Sequence, residues 1–150
     1  MEAERYGGLF EAICELVLCH SPSGAEWEID DCLLARLDEL DMEHWQDEAG
    51  NIIARIPGRD GSRSLAITAH KDEIGAIVKR VHGDGRVEVR KLGGAYPWVY
   101  GEGVVDLLGD HATVSGVLSF GSRHVSCESP QKFHEELKPL LWENTWVETK

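Results

Sequence analysis

Basic residues are scarce beside acidic ones: 15 Lys and Arg stand against 27 Asp and Glu, a formal net charge of -12 at pH 7. Nucleic-acid binders concentrate cations on the surface that tracks phosphate, so this balance argues against DNA or RNA as a partner. Long apolar runs are also missing. No stretch approaches the roughly 20 residues of a membrane span, and the opening MEAERYGGLF has no basic segment followed by an apolar one. No membrane partner is therefore expected, and the cytoplasm is the expected compartment. Only Cys14, Cys19, Cys32 and Cys127 carry thiols, none in a C-x-x-C pair, so reduced cysteines are expected rather than disulfides. Internal repeats and low-complexity tracts are absent. So are H-E-x-x-H and H-x-x-E-H spacings, which excludes a zinc site gathered on one helix turn.

What is present is an ordinary globular composition, 42% hydrophobic and 28% charged over 150 residues. That length suits one domain, or one domain and part of a second, with a real hydrophobic core. Leu9, Phe10, Ile13, Leu16 and Val17 recur at helical spacing and predict a first helix whose apolar face packs on a sheet. After His20-Ser21-Pro22-Ser23-Gly24, the pair Ser23 and Glu26 has capping-box spacing, and Ile29, Leu33, Leu37 and Leu40 predict a second helix beginning near Gly24. Residues 42–47 and 51–56 read as a hairpin around Glu48-Ala49-Gly50. Beyond Pro57-Gly58-Arg59-Asp60-Gly61, Ser64 to Ala69 reads as a strand buried on both faces.

After Gly75 the pattern changes to short β runs between glycine turns. Hairpins are expected around 82–85 and 109–111, a short helix from Ser129-Pro130 to about Leu137, and a last strand-like run over 140–147. A small barrel is the natural expectation.

The chemistry concentrates in SLAITAHKDEIGAIV, residues 64–78. His70 and Asp72 follow an apolar strand, and ligands of α/β proteins collect beyond such strand ends. Imidazole is a common zinc ligand, and a carboxylate on its other ring nitrogen fixes the tautomer and raises its basicity. The bland reading makes Lys71 and Glu73 a solvated edge. His20, His44, His82, His111, His124 and His134 are scattered and read as surface or cap residues. Asp30-Asp31 and Glu135-Glu136 read as solvated helix faces, and Trp98, Trp142 and Trp146 as barrel or interface aromatics.

HSPSGAE at 20–26, DEAGN at 47–51, AHKDEIGAIV at 69–78, KLGG at 91–94 and GVVDLLGDHATVSGVLSF at 103–120 occur in an order and spacing that resemble the M42 family of metallo-aminopeptidases, some of which are labelled endoglucanases. The strand followed by H-x-D-E-I-G is the specific element, because related metallopeptidases share H-x-D and differ afterwards. Where this chain has Lys71 the family usually carries methionine or another apolar residue.

The resemblance implies an α/β fold: residues 1–75 as the N-terminal part of a zinc-peptidase-like α/β/α domain, and 76–150 as an inserted, PDZ-like β-barrel, incomplete here, that builds homo-oligomers. It implies His70 as a metal ligand and Asp72 as the residue orienting it, with Glu73, Ile74 and Gly75 shaping the exit into the insert. The cofactors implied for a full enzyme are two divalent ions, zinc or cobalt. They activate a shared water and polarise the carbonyl of a peptide substrate while a glutamate moves the proton. The bridging aspartate, that glutamate and the remaining ligands lie in family segments after the insert and are not matched in this sequence. The chain alone is thus expected to be inactive and to bind metal weakly or not at all. The alternative reading is a complete, non-catalytic module derived from such an enzyme that associates with itself or with a full-length relative, separated from the first by whether the coding sequence continues into the missing ligands.

Overall fold

The computed structural model describes residues 2–121 and 140–149, and the chain divides into two compact units, Met1–Glu73 and Ile74–Lys150. The first unit opens with α1 (Glu2–Leu18), α2 (Trp27–Glu39) and an antiparallel hairpin of β1 (Glu43–Gln46) and β2 (Ile52–Arg55). Helix α2 ends in a Schellman arrangement. Asp41, in the left-handed region at φ 50°, donates its N–H to Asp38, and the Met42 N–H donates to the Leu37 carbonyl at 3.1 Å. Arg36 then ties α2 to α1 through Glu15.

Three expectations for this unit are corrected. Helix α2 starts at Trp27, three residues after Gly24, and no side chain caps it; the Ser23 hydroxyl is committed to Asp72 instead, and Glu26 accepts from the Gly24 N–H at 2.9 Å. The apolar stripe of α1 faces outward, with Phe10 and Val17 each 67% exposed. Ser64 to Ala69 forms no ladder with any described strand, and Leu65 and Ile67 are about 90% exposed. A strand exists only through the hydrogen bonds of a neighbour, which the apolar pattern of a segment does not supply by itself.

The second unit is built on a five-stranded antiparallel sheet: β3 (Gly75–Val81), β4 (Arg86–Leu92), β5 (Gly103–Leu108), β6 (Thr113–Ser119) and β7 (Trp146–Glu148), in the order β3-β4-β7-β6-β5. Hairpins join β3 to β4 and β5 to β6, as the glycine turns indicate. The run over 140–147 divides into a single 3-10 turn at Trp142–Asn144 and the strand β7, which fits between β4 and β6. The expected helix at 129–137 lies outside the described residues.

The core of this unit is Val87, Val89, Leu118 and Val147, flanked by Tyr100, Val105, Leu107, Phe120 and Trp142. Each fully buried aliphatic side chain contributes roughly 1.5–3 kcal/mol relative to exposure. A short helix α3 (Pro97–Tyr100) starts with proline at its first turn, where no N–H is needed, and carries Tyr100 against Trp142 edge-on at 5.4 Å. The Trp142 indole N–H donates to the Ala95 carbonyl at 2.9 Å, and the Tyr100 hydroxyl to the Gly75 carbonyl at 3.2 Å. Trp142 is thereby a core-flanking aromatic, whereas Trp98 stacks on Tyr96 and remains 64% exposed.

Candidate functional site around residues 70 to 73

Residues 70–73 are held by three separate parts of the first unit. The loop between α1 and α2 provides the backbone contact: Pro22 and Glu73 form a parallel β-bridge, the Glu73 N–H donates to the Ser21 carbonyl at 2.8 Å, and Ser21 is 5% exposed. One residue on, the Ser23 hydroxyl donates to Asp72 Oδ2 at 2.6 Å. That bond is the main reason the Asp72 carboxyl lies below the usual aspartate range, with His70 adding to it.

His70 Nδ1 sits 2.9 Å from the Asp72 carbonyl oxygen and 3.3 Å from its Oδ1. A carbonyl oxygen only accepts, so Nδ1 carries the proton, and in the neutral ring Nε2 is left with its lone pair. The imidazole is 85% exposed. The nearer partner is thus the backbone carbonyl of Asp72, with the carboxylate second. In chemical terms the residues present suit one terminal metal ligand and the groups that orient it. Among the described residues, no group of three or more His, Cys, Asp or Glu side chains gathers to hold an ion.

Lys71 turns elsewhere. Its ammonium donates to Asp30 Oδ1 and, at 2.8 Å, to the Gly50 carbonyl, and the Gln46 amide donates to Asp30 Oδ2 at 2.9 Å and to the Gly50 carbonyl at 3.3 Å. The side chains of Lys71 and Asp30 are only 26% and 16% exposed. Neither is a solvated edge or helix face, which corrects the sequence reading of both. Gly50 is presented by the DEAGN loop, whose Asp47 accepts from the N–H groups of Ala49 and Asn51 and from the Asn51 side chain. Those bonds hold the Asp47 carboxyl below its ordinary range.

Sequence reasoning missed Ser23, Asp30 and Gly50 as supports of the site. The available signal was that HSPSGAE and DEAGN accompany H-x-D-E-I-G as one set, which is what segments meeting in space would do. Three other histidines make local pairs: His20 with Glu28 at 2.7 Å, His82 with Glu88 at 2.8 Å, and His44 with the Met42 carbonyl at 2.9 Å. His124, His134 and Glu135-Glu136 lie outside the described residues.

With this geometry in hand, comparisons with known proteins define the class. The M42 glutamyl aminopeptidase family model matches residues 50–150. This chain belongs to that family. Among curated relatives, the protein named "Putative aminopeptidase YhfE" of Bacillus subtilis is 40% identical over 84 residues, covering 56% of this chain and 24% of that protein. The glutamyl aminopeptidase of Lactococcus lactis is 32% identical over 92 residues, covering 61% and 26%. Among solved structures, the aminopeptidase APDkam598 from Desulfurococcus kamchatkensis superposes with a TM-score of 0.75 at 27% identity, covering 95% of this chain and 37% of that one. A TET aminopeptidase from a marine-sediment Thaumarchaeota archaeon superposes at 0.76, with 99% and 39% covered, and at 23% identity it bears on the fold alone. The chain spans about a quarter of the length of the two curated relatives.

Proposed function

We propose that this chain is the N-terminal portion of a dinuclear-metal-dependent aminopeptidase that removes N-terminal residues from peptides, and that it is inactive as a separate polypeptide. The observation that carries the reading is the His70–Asp72 pairing, which keeps the proton on Nδ1 and leaves Nε2 open at the H-x-D-E-I-G element. Membership of the family, and relatives named as aminopeptidases, support the substrate class.

In this reading His70 would hold one of two divalent ions, zinc or cobalt, through Nε2. Such ions, when bound, supply Lewis acidity toward a peptide carbonyl and a water. The work of this chain's own residues is orientation: Asp72 fixes the imidazole, Ser23 keeps Asp72 ionised and turned, and Ser21 fixes the backbone at Glu73. One imidazole with its orienting carboxylate falls short of the four ligands of a closed zinc site, so binding by the chain alone is weak. The unit from Ile74 to Lys150 is proposed to be the family's inserted, PDZ-like β-barrel, through which the full enzyme forms homo-oligomers. Its antiparallel sheet and the exposed Val104 and Val117 support that assignment. The free thiols of Cys14, Cys19 and Cys32 fit a reducing, cytoplasmic setting.

The test is zinc titration of the purified chain, followed by the imidazole resonances of His70. Perturbation of His70 only at millimolar zinc, abolished in His70→Ala, and no hydrolysis of aminoacyl p-nitroanilides are expected. A His70 resonance that ignores zinc would refute the ligand assignment, and zinc retained in stoichiometric amount through desalting would refute weak binding.

A further inference from the structure

We infer that Lys71 is a positioning residue, a charged clamp between His70 and Asp72 that fixes the segment carrying them and so the orientation of the imidazole. The inference deepens the proposed metal role of His70 and rests on that reading for its zinc readout, though its tautomer readout is independent of it. Residues 61–72 make no ladder with any described strand, so sheet hydrogen bonds do not fix the approach to His70. The anchors are the Ser21–Glu73 contact and the Ser23–Asp72 hydrogen bond on the far side and Lys71 in the middle. Holding Lys71 against Asp30 and Gly50 therefore fixes the residue between His70 and Asp72, and with it the stretch across which His70 Nδ1 meets the Asp72 carbonyl.

The clamp is well built for this. The ammonium has both an ionised and a neutral acceptor, and the Gln46 amide bridges the same two acceptors. Low exposure of Lys71 and Asp30 reduces the solvent screening that makes most surface ion pairs weak. Methionine at this position would fill the space of the stem and leave Asp30 without its cation. With its charge paired to Asp30, Lys71 supports the neighbouring imidazole more than it repels a cation there.

The two effects make opposite predictions. If Lys71 acted mainly as a nearby positive charge, Lys71→Met would tighten zinc binding at His70. If it is a clamp, Lys71→Met and Asp30→Asn each weaken it, by about tenfold, the lower end of the loss seen when groups orienting a metal ligand are removed.

Both variants are measured in the 150-residue chain by zinc titration on the His70 resonances and by long-range nitrogen–proton correlation of the metal-free imidazole, assigned with His70→Ala. The clamp predicts a single Nδ1–H tautomer in the native chain, a mixture in Lys71→Met and Asp30→Asn, and recovery in Lys71→Arg. Unchanged tautomer with unchanged or tighter zinc overturns it. So does loss of the amide spectrum of residues 2–73 in both variants, which would make the pair a folding requirement only. If the native chain shows no zinc effect at His70, the metal reading fails while the tautomer comparison still decides the role of Lys71.

Discussion

Ser23 and Asp72, 49 positions apart in the chain, meet through a 2.6 Å hydrogen bond that joins the loop between α1 and α2 to the segment carrying His70. The donor is a hydroxyl and the acceptor an ionised carboxylate, the stronger class of hydrogen bond. Through it the loop between α1 and α2 helps hold the carboxyl of the residue that orients the imidazole below its ordinary range.

Ser23→Ala should raise the Asp72 titration midpoint toward the ordinary aspartate range, since the hydroxyl is the largest cause of its depression. Carboxyl carbon shifts followed against pH measure this directly. An unmoved Asp72 midpoint would show that the hydroxyl is not what holds it down.

A separate acid-side effect belongs to the second unit. His82 and then Lys79 bond to Glu88 and lower its pKa in the folded state. Its contribution to stability is therefore complete above the ordinary glutamate range and is lost as pH falls through the depressed folded value. Glu88→Gln should flatten the loss of stability on acidification, read from urea midpoints at a series of pH values.

Leu118, 4% exposed on β6, packs into the core with Val87, Val89 and Val147. Leu118→Ala should destabilise the second unit by about 2–5 kcal/mol, the range for emptying a buried leucine site. Chemical denaturation followed by tryptophan fluorescence gives the value, because Trp142 flanks the same core.

Gly116 is required by the approach of β7. A Cβ there would collide with Val147 Cγ1 and lie 2.9 Å from the Glu148 carbonyl oxygen. Gly116→Ala should cost about 1–3 kcal/mol, as overpacking does, and should loosen β7 first. Faster amide exchange at Trp146 to Glu148 than in β3 is the expected sign.

The exposed side chains of Phe10, Val17, Leu65 and Ile67 make the first unit sticky. Size-exclusion chromatography at micromolar concentration should show oligomers or aggregates, reduced by Leu65→Ser with Ile67→Ser. A sharp native monomer peak would contradict this.

The legible parts of the fold are those whose hydrogen bonds close locally. The hairpins β1–β2, β3–β4 and β5–β6 follow from apolar runs set around Gly50, Gly85 and Gly109, and helices α1 and α2 follow from their periodicity. Ser64 to Ala69 misled because its apolar run specifies a wish for partners rather than their presence. Ser23 misled because its spacing to Glu26 satisfies a capping box, while a carboxylate distant in sequence binds the hydroxyl instead.

The sequence by itself determined the family, the alternation of local elements and the two residues, His70 and Asp72, on which the proposed chemistry rests. Those are matters of residue type and short spacing. Only the tertiary structure decided that the Asp72 carbonyl is the nearer partner of the imidazole, that Ser23 depresses the Asp72 carboxyl, and that Lys71 points away to Asp30 and Gly50. The reason is physical: a side chain's partner is set by which backbone segments meet, and those meetings lie 41 and 49 positions apart in the chain.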